Sequence, residues 1–164
     1  VFGSDQIIPA RYNTGEFKLI PEMKLAKEYR TAMPSVVDTP LGLIMAVRAK
    51  LKEQNWVEVY RFSQNKWNPI LKVDTGSDNG NPPALFFKDN KVILCYANRG
   101  KRELILSSTE DLEQWNEKII YNSKTSDFGY PVIFNSEKGI GIVFYENNKD
   151  DRSVILQKEV ILGW

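Results

Sequence analysis

The sequence predicts an all-β chain built from three successive antiparallel units, and three observations predict it. First, one cadence (a proline, a short apolar run, a polar break, a second apolar run) occurs at YRTAMPSVVDTPLGLIMAVRAK (29–50), NPPALFFKDNKVILCYANRG (81–100) and GYPVIFNSEKGIGIVFYENN (129–148). Second, the copies aligned on Pro34, Pro83 and Pro131 lie 49 and 48 residues apart, an interval that suits propeller blades and not helical repeats. Third, the apolar runs are too short for helices and nearly apolar throughout, as strands covered on both faces are.

Taken in order, residues 1–28 are the least regular and form an N-terminal strand segment. Within it EFKLI (16–20) and MKLA (23–26) are candidate strands, the outer edge of a blade whose other strands lie elsewhere. Blade 1 spans 29–76, blade 2 spans 77–125 and blade 3 spans 126–164. Each opens with a short β-branched or aromatic strand, PSVV, PALFF or PVIF, closed by the turn-rich DTPLG, KDNK or NSEKG. The second strands are LIMAVRA, KVILCYA and IGIVFYE, and the third are WVEVYRF, ELILSS and SVILQ. With a fourth strand each, these make three four-stranded meanders. Proline is placed at the start of each innermost strand, where a missing backbone donor costs little.

Composition narrows the chemistry. The 164 residues suit a single domain, and 42% apolar content is enough to bury a core. Twenty-two basic against twenty-one acidic residues leave a formal charge of +1, so no bulk field draws the chain to nucleic acid or an anionic membrane. Histidine is absent and Cys95 is the only cysteine, which excludes an internal disulfide, zinc clusters of Cys and His, and Ser/His/Asp or Cys/His triads. Cys95, inside VILCY, reads as a buried small hydrophobe. No apolar run approaches the roughly 20 residues of a spanning helix, and no signal peptide is visible. A start at Val1 suggests a processed or excised piece, which leaves the compartment open.

After the third strand of the second copy comes STEDLEQW, Ser108 to Trp115. It resembles the Asp-box of sialidases and related bacterial-neuraminidase-repeat propellers, Ser-x-Asp-x-Gly-x-x-Trp, with Glu110 for the aspartate and Leu112 for the glycine. FSQNKW holds a shortened relative, Ser63 to Trp67, and Trp164 is the candidate remnant in the third copy. Such a box is a hairpin staple: its hydroxyl and carboxylate bond turn amides while the Trp packs between strands. Tyr29-Arg30 with Met33-Pro34 is similar to the sialidase Arg-Ile-Pro segment, with Thr31, Ala32 and Met33 between arginine and proline. Asp127-Phe128-Gly129-Tyr130-Pro131 resembles the Asp-x-Gly-Tyr-Pro opening of a later blade. The resemblance covers 29–157 in cadence and implies that the chain is half of a six-bladed sialidase-like β-propeller.

In a meander the start of the first strand and the end of the second share one side of the sheet. That groups Arg30, Asn81 and Tyr130 with Arg48, Arg99 and Glu146, with Asp78, Asn98, Asp127 and Asn147 in adjoining loops. Guanidinium groups there would hold a carboxylate bidentately, which suits an acidic sugar. By resemblance, Arg30, Arg48 and Arg99 orient the substrate with Asn81 and Asn98, Tyr130 is the nucleophile, Glu146 activates it and Asp127 is acid/base. Each residue also has an ordinary role open to it: surface ion pairs for the charges, packing for Tyr130, a turn cap for Asp127. The resemblance thus implies a glycan-binding or glycan-hydrolysing propeller, secreted, cell-surface or virion-associated, needing no metal or cofactor. The alternatives are a non-catalytic lectin-like or fibre module for adhesion or assembly, and another propeller glycosidase acting on neutral glycans through three carboxylates.

DTGSDNGN (74–81) has calcium-loop composition, but Gly76 and Asn79 break the ligand spacing, so it reads as a loop beside the site. Neither KEYR nor KLKEQ makes a basic stripe with interleaved aromatics, and no Gly-rich phosphate loop occurs, so no nucleic-acid partner is expected. Three blades do not close a ring, which takes about four to eight. The sequence therefore predicts either a homodimer joined as 3 + 3, with 16–26 of one chain completing the last blade of the other, or a part of a longer protein.

Overall fold

A computed structural model describes residues 10–13, 16–19, 29–76, 82–148 and 152–162. Every regular element among them is a strand, and no helix among the described residues is long and apolar enough to cross a membrane. Strands β1 (Ala10–Asn13) and β2 (Glu16–Leu19) pair antiparallel as a separate ribbon. Residues 16–19 thus pair with 10–13 of their own chain, a strand absent from the sequence reading; 20–26, with MKLA, lie outside the described residues.

The remaining strands form three antiparallel meanders. Sheet 1 is β3 (Arg30–Thr39), β4 (Gly42–Leu51), β5 (Gln54–Ser63) and β6 (Lys66–Gly76). Sheet 2 is β7 (Ala84–Lys88), β8 (Lys91–Asn98), β9 (Glu103–Thr109) and β10 (Asn116–Asn122). Sheet 3 is β11 (Phe128–Ser136), β12 (Gly139–Asn147) and β13 (Ser153–Val160). The expectation of four strands in every unit is corrected for sheet 3, which has three among the described residues, with β13 as its outer edge. Tight turns set the register: Gln64-Asn65 and Asp89-Asn90 both have positive φ, which gives these hairpins the twist that flanking strands need.

The two-residue period of the strands decides the packing. Ile44, Ala46, Val57 and Val59 of sheet 1 meet Leu85, Val92, Leu94, Tyr96 and Ile105 of sheet 2. From the opposite face of sheet 2, Ile93, Cys95, Ala97, Leu104 and Leu106 meet Phe128, Ile140, Ile142 and Phe144 of sheet 3. Sheet 2 is therefore covered on both sides, and Cys95 is fully buried, its thiol pushed up by desolvation. The first strands touch one another along one edge, β3 against β7 and β7 against β11, and Ser35 Oγ accepts from the Leu85 amide at 2.9 Å.

Two local expectations are corrected. Pro34 and Pro131 do not start their strands: β3 and β11 begin earlier, and each proline sits in a bulge where the register shifts, between Ala32 and Ser35 and between Gly129 and Val132. A bulge leaves a residue unpaired, so proline's missing donor is tolerated there. The residues before the prolines, Met33 (φ 56) and Tyr130 (φ 51), adopt left-handed backbone, which bulky side chains rarely do.

The second correction concerns the staple after β9. Leu112 does stand where a glycine fits, with φ 69. The turn bonds, however, come one position later than the resemblance implied: Thr109 Oγ1 accepts the Leu112 amide at 2.9 Å, and Asp111 Oδ1 accepts the amides of Glu113 and Gln114 at 2.8 and 2.9 Å. These bonds hold the Asp111 carboxyl below the usual range. Glu110 points outward toward Lys91, 3.5 Å away. Trp115 packs on the core between sheets 1 and 2, and Trp67 packs on Met45, Val47 and Tyr60. Thr109→Val leaves the buried Leu112 amide unpaired and is expected to cost about 1–3 kcal/mol in urea unfolding, while Glu110→Gln leaves the midpoint unchanged. The reverse order would refute this assignment of the staple.

Candidate functional site

Polar side chains gather on the rim between sheets 2 and 3, where the β8–β9 loop faces the segment entering β11. The loop is shaped from within. Asn98 is 7% exposed; its Oδ1 accepts the Lys101 amide at 3.0 Å and its Nδ2 donates to the Asp74 carbonyl at 3.3 Å. Gly76 (φ +90) lies so close that a Cβ there would meet the Gly100 nitrogen at 2.9 Å. The turn carries Arg99 toward sheet 3.

Arg99 Nε donates to the Phe128 carbonyl at 3.2 Å, and Nη2 donates to Asp127 Oδ1 at 2.7 Å and to the Tyr145 hydroxyl at 2.5 Å. Tyr145 in turn donates to Asp127 Oδ1. On the other carboxylate oxygen, Asp127 Oδ2 accepts from Asn147 Nδ2, while the Asn147 amide donates to the Asp127 carbonyl at 2.9 Å. The Tyr130 ring lies 5.6 Å from that of Tyr145, tilted by 54°, and Tyr130 is 46% exposed. This is one connected network from three chain segments, with an aromatic ring open to solvent beside it.

Glu146 serves a different network. It neighbours Tyr145 on β12 and so faces the opposite side of sheet 3, toward sheet 2. Its Oε2 accepts from the Tyr121 hydroxyl at 2.6 Å, and its Oε1 accepts from the Ser123 hydroxyl and, at 2.7 Å, from the Lys124 amide. Burial pushes its pKa up, but the bonds from Ser123, Tyr121 and Lys124 outweigh burial and hold it below the ordinary carboxylate value.

The other expected site residues distribute as follows. Arg30 opens β3 opposite Lys50. Arg48 lies on β4 with its Nη1 4.0 Å from Met33 Sδ. Asn98 spends its amide on Lys101 of its own loop and on the Asp74 carbonyl of β6, and Asn81, like Asp78, lies outside the described residues. Of the expected loop 74–81, residues 74–76 instead end strand β6, where Asp74 Oδ1 accepts the Gly76 amide at 2.8 Å, and 77–81 lie outside the described residues; no group of three or more potential metal-ligating side chains occurs among the described residues.

Sequence reasoning missed Tyr145 and Glu58. Tyr145 was legible in principle, because in IGIVFYE it alternates with the core-facing Ile140, Ile142 and Phe144 and so had to leave the core face. Glu58, 6% exposed on sheet 1, accepts from Tyr29 at 2.6 Å and from Tyr60. Burial followed by the bond to Glu58 pushes the Tyr60 phenol up. Tyr29 also packs edge-on against Trp56 at 4.8 Å. No protein-family model matches the chain, and no curated protein matches it.

Burial, then the bond to Asp127, raise the Tyr145 phenol from 10.0 to about 12, against the opposing pull of Arg99. A raised phenol favours the folded state below its unfolded pKa, and the benefit disappears as pH rises through the folded value. Tyr145→Phe is therefore expected to flatten the alkaline loss of stability between 10.0 and about 12 and to remove one ionisation near the upper end of an ultraviolet tyrosinate titration. An unchanged titration would contradict this placement of Tyr145.

Proposed function

We propose that the three stacked sheets are blades of a sialidase-like β-propeller completed by a second copy of the chain, and that its rim binds a glycan without cleaving it. Support for the blade reading comes from the meander order, the contact of successive first strands along one edge, and the bulge that recurs before Pro34 and Pro131. The binding surface comprises Asp127, Tyr130, Tyr145 and Asn147, with Arg99 beneath them. It combines an exposed aromatic face, which the apolar side of a sugar ring can cover, with fixed polar groups for hydroxyls.

The observation that carries binding rather than hydrolysis is the commitment of Glu146 to Tyr121, Ser123 and Lys124. Hydrolysis through a tyrosine needs a base within hydrogen-bond reach of the phenol. Tyr130 instead lies beside the Tyr145 ring, on the other side of sheet 3 from Glu146.

Completion by a second copy is supported at sheet 3. Its far face exposes Val132 (60%) and Ile155 (69%), and it has one strand fewer than its neighbours among the described residues. The far face of sheet 1 buries Met45, Val47 and Tyr60 but also exposes Val36 (50%) and Leu51 (42%). A second copy that closes the ring is therefore expected to seat the far face of its sheet 1 on the far face of sheet 3, and the reverse, where both contacts remove apolar surface from water.

Two experiments test these readings. On a glycan array, the wild type is expected to bind a defined subset while Tyr130→Ala loses at least about tenfold in affinity, the weight of one good aromatic contact. Turnover of a fluorogenic glycoside that Tyr130→Phe abolishes would replace binding with catalysis. In sedimentation at micromolar concentration the chain is expected to run as a dimer and Ile155→Glu as a monomer; a folded wild-type monomer would remove the second copy.

A further inference from the structure

The rim network also constrains what kind of sugar it can accept. We infer that Asp127 makes this site selective for neutral, hydroxyl-donating glycans over acidic ones, an inference that rests on the glycan-binding reading above. It runs against the acidic ligand that the resemblance implied, and the reason lies in which charge the solvent reaches.

The Arg99 side chain is 12% exposed, whereas that of Asp127 is 47% exposed. A carboxylate-bearing sugar needs an open guanidinium edge for a bidentate grip. On Arg99 the edge formed by Nε and Nη2 is already filled by the Phe128 carbonyl, Asp127 Oδ1 and the Tyr145 hydroxyl. Asp127 presents the complementary problem. Its Oδ1 takes two donors from within the protein, while Oδ2 takes Asn147 Nδ2 and keeps accepting capacity on the exposed side. An ionised carboxylate accepts and cannot donate, so it welcomes a hydroxyl and repels a second carboxylate.

Tyr130 sets where that hydroxyl must be. Its left-handed backbone in the β11 bulge and its contact with Tyr145 hold the ring at the same end of the strand as Asp127, three positions away. A pyranose lying on Tyr130 presents its equatorial hydroxyls sideways, and Asp127 is a carboxylate of the same rim with accepting capacity for one of them. A ring substituent bearing negative charge in that direction would meet Asp127 before it met Arg99. Arg99, 2.7 Å from Oδ1, offsets part of the Asp127 charge, but it is the less exposed of the two, so an approaching carboxylate still meets net repulsion, on the order of tenfold in affinity.

The test uses the whole chain on an array that carries neutral oligosaccharides together with their sialylated and uronate-containing counterparts. Wild type is expected to bind neutral members at least about tenfold better than matched acidic ones. Asp127→Asn, which keeps shape and removes the charge, is expected to narrow that ratio to within about threefold, with its fold checked by thermal unfolding. Preference for the acidic members by the wild type would overturn the inference while leaving glycan binding intact, and this arm does not depend on the variant folding. A ratio unchanged in folded Asp127→Asn would also overturn it. Absence of binding to every glycan would instead sink the reading beneath it.

Discussion

The structure depends on the burial of sheet 2 from both sides. Its strand β8 sends Val92, Leu94 and Tyr96 toward sheet 1 and Ile93, Cys95 and Ala97 toward sheet 3, all of them buried. Burying such a side chain contributes on the order of 1.5–3 kcal/mol, so a strand with no polar face has no stable place except between two layers. Once VILCYA is sandwiched, the neighbouring sheets must present alternating apolar faces to it, and they do so through Ile44 and Ala46 on one side and Ile140 and Ile142 on the other.

That constraint expels polar groups to the strand ends, and most of the notable chemistry sits there as a result. Tyrosines of sheets 2 and 3 take carboxylate partners: Tyr96 with Glu117 at 2.8 Å, Tyr121 with Glu146, and Tyr145 with Asp127. A buried phenol needs a hydrogen-bond partner, and a carboxylate with free lone pairs supplies one. The same pairing raises each of these phenols, burial being the larger cause. Arg99 joins one such pair and bridges sheets 2 and 3 across their rim. The rim is thus tied to the packing beneath it by side-chain hydrogen bonds.

Much of the architecture was legible in the chain. The second strands lie at LIMAVRA, KVILCYA and IGIVFYE because consecutive apolar residues followed by polar breaks have few alternatives at that length. The turn at KDNK was equally plain, since Asp-Asn sits between strands at the two-residue spacing of a tight hairpin. Strand starts were less legible. Pro34 and Pro131 looked like boundaries, but an edge strand can pass through a proline when a bulge removes the need for its donor. The staple was read one position early because Ser108-Thr109 and Glu110-Asp111 are chemically equivalent pairs, and only backbone geometry chooses between their members.

By itself the sequence determined the strand content, the threefold cadence and the exclusion of histidine- and disulfide-based chemistry, because these follow from residue type and spacing along one dimension. Tertiary structure decided which carboxylate meets which partner. Asp127 and Glu146 have similar chemistry and stand near one another at the same rim, yet one faces Arg99 and Tyr145 and the other faces Tyr121 and Ser123. The difference comes from sheet parity and from segments of chain brought together by packing. Tyr145 and Glu146 are adjacent in sequence, and one step along a strand reverses the direction in which a side chain points.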